Sequence, residues 1–232
     1  MTSKILEEIY SYRDAKKAKL LSGFFKTGRG QYGEGDVFWG LTVPTSRTIA
    51  KKYKDINFKE VNSLLKHKVH EVRLVAILIL VHKYNFGKLS EKKKIVDFYL
   101  KNTKYINNWD LVDLSASRIL GDYLFDKSDK KILLKLANSK KLWEQRISMI
   151  STLAFIKNGE LEWTFKIAKM FLNHKHDLMH KATGWMLREA GKKDEKALRN
   201  FLDKNISNMP RTMLRYAIER FSENIRLEYL KK

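Results

Sequence analysis

The sequence predicts an all-α fold, and three observations on its 232 residues carry that prediction. Helix breakers are scarce, with proline only at Pro44 and Pro210. Alternating apolar and polar runs, the mark of half-buried strands, are few. A helical pattern also recurs along the chain. Glu71-Val-Arg73, Glu144-Gln-Arg146, Met179-His-Lys181 and Met213-Leu-Arg215 each place a basic residue just before an apolar helical run. Arg73 and Arg146 are 73 residues apart, Arg146 and Lys181 are 35 apart, and Lys181 and Arg215 are 34 apart. The first interval is two periods, and the stretch around Trp109 fills the missing register. Recurrence at this length in helical sequence indicates stacked helix pairs, an α-solenoid of HEAT-like repeats. The basic residue at one register then predicts a concave basic groove on a single domain spanning residues 1–232.

The elements follow in order. Residues 3–20 read as one helix with Ile5, Leu6, Ile9, Tyr12 and Leu20 on its apolar side. Gly28, Gly30 and Gly33 then match a GxGxxG spacing. A dinucleotide fingerprint must follow a strand and open a helix, whereas here a helical segment comes first. The stretch reads instead as a glycine loop whose Lys26 and Arg29 are placed to touch phosphate. Helices are expected near 45–53, where Pro44 suits a start, then near 58–66, 70–84 and 90–101, the last with Ser90 as cap.

The stretch from Lys104 to Leu124 is the most distinctive. Asn107 is a candidate cap, with Asp110 facing the first free amides. Ile106, Leu111, Leu114, Ile119 and Leu120 form a buried stripe. Trp109 and Asp113 are four residues apart and share a face. Further on, Lys181, Gly184, Trp185 and Arg188 share another helical face, and Gly184 within a helix suggests a close approach. Trp143 and Arg146 stand one turn apart.

Charge narrows the partners. Forty-seven Lys and Arg against 26 Asp and Glu give +21, spread along the chain, not held in a tail. A distributed excess of this size fits a polyanion. Cysteine is absent, which excludes disulfides and thiolate zinc sites. His67 and His70, and the His174, His176 and His180 group, lack a metal-site pattern and read as surface or capping residues. No metal and no cofactor are expected. The longest apolar run, Leu74–Val81, is too short for a bilayer, and the N-terminus lacks a signal-peptide core, so a cytoplasmic protein without membrane contact is expected.

Asn-Asn-Trp-Asp-Leu-Val-Asp at 107–113, Trp-Glu-Gln-Arg at 143–146 and His-Lys-Ala-Thr-Gly-Trp-Met-Leu-Arg-Glu at 180–189 resemble the bacterial AlkD-type DNA alkylation repair glycosylases. The similarity runs over nearly the whole chain. It implies a HEAT-like solenoid that hydrolyses the N-glycosidic bond of cationic N3- or N7-alkylpurines in double-stranded DNA, without flipping the base. By the same resemblance, Asp113 is the catalytic carboxylate, and Trp109 and Trp185 pack against the lesion's deoxyribose and backbone. Arg146 and Arg188 face phosphate, with Lys181 on the same basic wall. Two positions depart from the family pattern: Phe24, or Phe25, stands where relatives carry Tyr, and Ala154 stands near a family Lys. A monomer is expected. The alternative is a catalytically silent relative that binds bent or branched DNA.

Overall fold

The computed structural model describes residues 2–231. It is all-helical; the extended pairing among those residues is a single parallel bridge between Val37 and Val69. The chain divides into two compact units, residues 1–115 and 116–232.

In the first unit the helices are α1 (Thr2–Ser11), α2 (Ala15–Phe24), α3 (Val43–Lys52), α4 (Phe58–Leu65), α5 (His70–Phe86), α6 (Leu89–Lys101) and α7 (Trp109–Ala116). Helix α5 is the centre. Every residue from Glu71 to Val81 is buried, as expected where Leu74 to Val81 is apolar all round, and α3, α4 and α6 pack on it.

Three local expectations are corrected here. The single helix over 3–20 is two, because the Asp14 carboxylate accepts the Lys17 amide and caps a new start. Ser90 lies inside α6, whose entry is held by Glu91 accepting the Lys88 amide at 2.7 Å. The start of α7 is held by Asn108, whose Oδ1 accepts the Trp109 amide at 2.8 Å, and by Asp110, which accepts from Leu111. Asn107 Oδ1 is buried without a hydrogen bond.

The second unit begins with a π-helical turn, Ser117–Gly121, followed by α8 (Asp122–Phe125), α9 (Lys131–Ala137), α10 (Leu142–Ser151), α11 (Leu153–Lys157) and α12 (Glu162–Met170). Then come α13 (Asp177–Lys193), α14 (Glu195–Asn205), α15 (Arg211–Ala217) and α16 (Glu223–Lys231). The helices bearing Arg146, Lys181 and Arg215 pack in sequence, α10 on α13 and α13 on α15. That is the adjacency a stacked 35-residue repeat requires. Gly184 serves this packing: a Cβ there would lie 2.5 Å from the Met213 carbonyl and from the Tyr216 Cβ. The close approach anticipated at Gly184 is thus made by α15.

No helix among the described residues is long and apolar enough to cross a membrane.

Candidate nucleic-acid interface and active site

In the first unit, α7 presents Trp109 and Asp113 one turn apart, each half-buried. The indole is wedged into an aromatic layer. Phe25 stacks on Trp109 at 5.0 Å between centroids, with the planes 8° apart. Phe24 meets the same indole edge-on at 5.8 Å. Phe25 in turn stacks on Phe38 at 4.9 Å, and the His70 imidazole lies 4.6 Å from Phe38 and 4.9 Å from Phe25. Phe25 is buried and Phe24 is 64% exposed, so the inner support comes from Phe25 and the outer rim from Phe24.

Beneath this layer sits a closed set of four charges. Asp36 pairs with Arg73 at 2.6 Å and with His70 Nδ1 at 3.1 Å. His70 Nε2 pairs with Asp110 at 2.8 Å. Asn108 donates from Nδ2 to Asp36 at 3.0 Å, and Arg73 Nη1 donates to the His67 and Lys68 carbonyls. Burial alone pulls the imidazole toward its neutral form. The hydrogen bonds and charges of Asp110 and Asp36 outweigh it and raise the His70 pKa to about 9. Burial pushes the Asp36 carboxyl up, but His70, Arg73 and Asn108 together hold it below its ordinary value. Two carboxylates and two cations balance, as a buried charged group requires. The network ties the Asp36 loop, the start of α5 and the start of α7 together, which fixes where Trp109 and Asp113 stand.

This corrects two readings. His70 is neither superficial nor a simple cap, since both its nitrogens are engaged in the interior. Arg73 is buried, so it is an internal lock and not part of an exposed basic stripe. His67, by contrast, does cap, accepting the Val69 amide through Nδ1.

Glu71 fixes the neighbouring loop by accepting the Trp39, Gly40 and Leu41 amides. The glycine loop follows α2, not a strand, and its amides are taken internally. Gln31 accepts from Gly28, and Glu34 accepts from Gly30. Gly33 packs so tightly that a Cβ would lie 2.4 Å from the Phe25 carbonyl, which seats the loop directly on the aromatic layer. Lys26, in a left-handed conformation, and Arg29 are exposed on it.

In the second unit, Lys181, Trp185 and Arg188 share one face of α13, as their spacing requires. Lys181 pairs with Asp177 at 2.7 Å, and Arg188 with Glu219 and Glu189. Trp185 is half-buried. Arg146, which the resemblance placed facing phosphate, is instead only 5% exposed and donates from Nη1 to the Leu178 carbonyl at 2.7 Å. His176 accepts the amide of the same residue. Burial, with the His180 and Arg146 charges, holds His176 below its ordinary pKa, leaving Nδ1 free of a proton for that cap. His174 bonds Gln145 through Nε2 at 2.9 Å. These histidines shape the entry to α13. Ala154, at the second departure from the family pattern, is buried on α11.

The spacing paired Trp109 with Asp113 on one helical face, which α7 bears out, and Phe24, expected as a DNA contact of the first hairpin, lies edge-on to the same indole. Phe25, named only as the alternative to Phe24, proves to be the stacking ring, while Asp36 and the interior role of His70 were missed. The detectable signal was His70, Glu71 and Arg73 crowding the first turn of a helix whose next eight residues are all apolar, a costly place for ionisable groups unless they are paired.

The chain thus combines an all-helical fold, a net charge of +21 and an aromatic–carboxylate pair one turn apart on α7. The family model for DNA alkylation repair enzymes matches residues 5–221, and the chain belongs to that family. A solved structure described as a "Predicted DNA alkylation repair enzyme from Enterococcus faecalis" is similar in fold. Its TM-score is 0.69 at 14% sequence identity, covering 91% of this chain and 97% of that one. No curated protein matches the chain.

Proposed function

We propose that this member of the family is a DNA glycosylase acting on cationic N3- and N7-alkylpurines in duplex DNA. The observation that carries the reading is the Trp109–Asp113 pair, one turn apart on α7, with the indole stacked on Phe25 and the helix start locked by the His70 network. A carboxylate held on a rigid element stabilises developing positive charge without having to reorganise. Indole faces attract a cationic or polarised sugar.

The chemistry asks little of the protein beyond that. An alkylpurine bearing a positive charge leaves when the electron pair of the C1′–N bond moves onto the ring and neutralises it. The deoxyribose becomes oxocarbenium-like opposite Asp113, and water adds at C1′. The water's proton passes to the carboxylate and then to solvent, leaving an abasic sugar. No general acid is required. Extrusion of the base is not required either, so the lesion stays in the stack, unlike the route of base-flipping enzymes.

Phe24, Lys26 and Arg29 are proposed as DNA contacts of the first unit, with Trp185, Arg188 and Lys181 as those of the second. Arg146, buried against Leu178, is proposed to hold the α13 start beneath them. Residues 1–232 then act as one functional domain and as a monomer. Incubation with duplex DNA containing 7-methylguanine, followed by chromatography of released bases, tests the reading. Release of 7-methylguanine supports it, and tight binding without release favours the silent, bent-DNA reading.

A further inference from the structure

A second feature of the first unit lies away from Trp109. Helix α5 carries His70 at one end and Phe86 at the other, sixteen residues on, which is roughly 24 Å along the axis. At that far end α3, α4, α5 and α6 enclose a cleft of about 600 Å³, within the roughly 300–1,000 Å³ of small-ligand sites.

Its walls combine aromatic rings with cations. Phe58, at the first position of α4, is 37% exposed, and Phe86, in the last turn of α5, is 80% exposed. Phe86 is held by His82 one turn back, with ring centroids 4.6 Å apart. Phe58 is held by Phe98 at 5.2 Å. Around them stand Lys51, Lys54, Lys83 and Lys94. Two carboxylates also line the cleft, Asp55 and Glu91. Four lysines against these two carboxylates leave the lining net positive.

A Phe ring left 80% exposed costs solvation, and clustered lysines repel one another. One ligand chemistry relieves both: a flat aromatic group carrying phosphate. We propose that this cleft binds a nucleotide, with the base against Phe58 and Phe86 and the phosphate among Lys51, Lys54, Lys83 and Lys94. The nucleotide is either free or one unit of a single strand, and the pairing of stacking faces with a cationic rim is how single-stranded sites are built. An acidic peptide satisfies the lysines but leaves the rings unused.

Calorimetric titration of the full chain tests the assignment with four probes: a purine nucleoside monophosphate, a four-residue oligothymidylate, inorganic triphosphate and tetraglutamate. The nucleotide probes are expected to bind more tightly than triphosphate and tetraglutamate. Phe86→Ala, at an exposed position, is expected to weaken both nucleotide probes roughly tenfold and to leave triphosphate unchanged. Lys83→Gln with Lys94→Gln should weaken all phosphate probes. Equal affinity of monophosphate and oligonucleotide identifies a free nucleotide, and preference for the oligonucleotide identifies a strand. Triphosphate binding as well as the nucleotides with Phe86→Ala silent, preference for tetraglutamate, or no binding at all overturns the proposal. Base release from methylated duplex, read in parallel, should be unchanged by Phe86→Ala.

Discussion

Phe25 and Trp109 stack nearly parallel, 5.0 Å apart and 8° from coplanar, and the side of Phe25 away from solvent continues through Phe38 to the His70 imidazole. The half-buried indole is thus the last member of a layer that begins in the charged interior. Phe25→Ala should destabilise the protein by about 3–5 kcal/mol, because it removes a buried ring from this layer. Phe24→Ala should cost under about 1 kcal/mol, since that ring is mostly solvated. Urea denaturation of the two variants checks the contrast.

Stability should depend on pH through His70. Its folded pKa of about 9 lies above the ordinary value near 6.5. The stabilisation is therefore fully present below about pH 6.5 and is lost as pH rises through about 9. A shift of that size corresponds to about 3 kcal/mol. Asp36, held below its ordinary value, contributes stability present above about pH 4 and lost as pH falls through its folded pKa. Urea midpoints measured at pH 6 and pH 9.5 should fall at the higher pH, and His70→Gln should remove most of that difference.

Gly184→Ala sets two effects against each other. Helix propensity favours Ala by about 1 kcal/mol. The added Cβ would lie 2.5 Å from the Met213 backbone, and overpacking against backbone costs about 1–3 kcal/mol. The clash should win. A net loss of stability in thermal denaturation is expected, and a gain would show that α15 moves away at little cost.

Arg188 is held by Glu219. If Arg188 is a phosphate contact, Glu219→Gln should strengthen duplex binding irrespective of sequence. Arg188→Ala should weaken binding and flatten the slope of log affinity against log salt by about one unit. Anisotropy titrations at several salt concentrations read both.

The fold class was legible because its signal is periodic and local: apolar spacing, few breakers and a repeat whose helices do pack in sequence. Trp109 and Asp113 were legible for the same reason, since four residues define a helical face. The choice between Phe24 and Phe25 was left open, because neighbouring residues at the end of α2 differ in burial only through the loop that returns over them, and it is Phe25 that does the buried stacking. The charge repeat misled at Arg73. A basic residue at a helix start looks alike whether it faces solvent or a buried carboxylate, and Asp36, its partner, lies 37 residues away. The split of α1 from α2 was available in Asp14, a cap residue read as helix interior.

Asp113→Asn, assayed under single-turnover conditions on a 7-methylguanine duplex alongside duplex binding, tests the central claim most directly. Removal of the charge should abolish most base release while leaving affinity unchanged or slightly higher, because a carboxylate that repels the polyanion is gone. Near-wild-type release from Asp113→Asn would contradict the account.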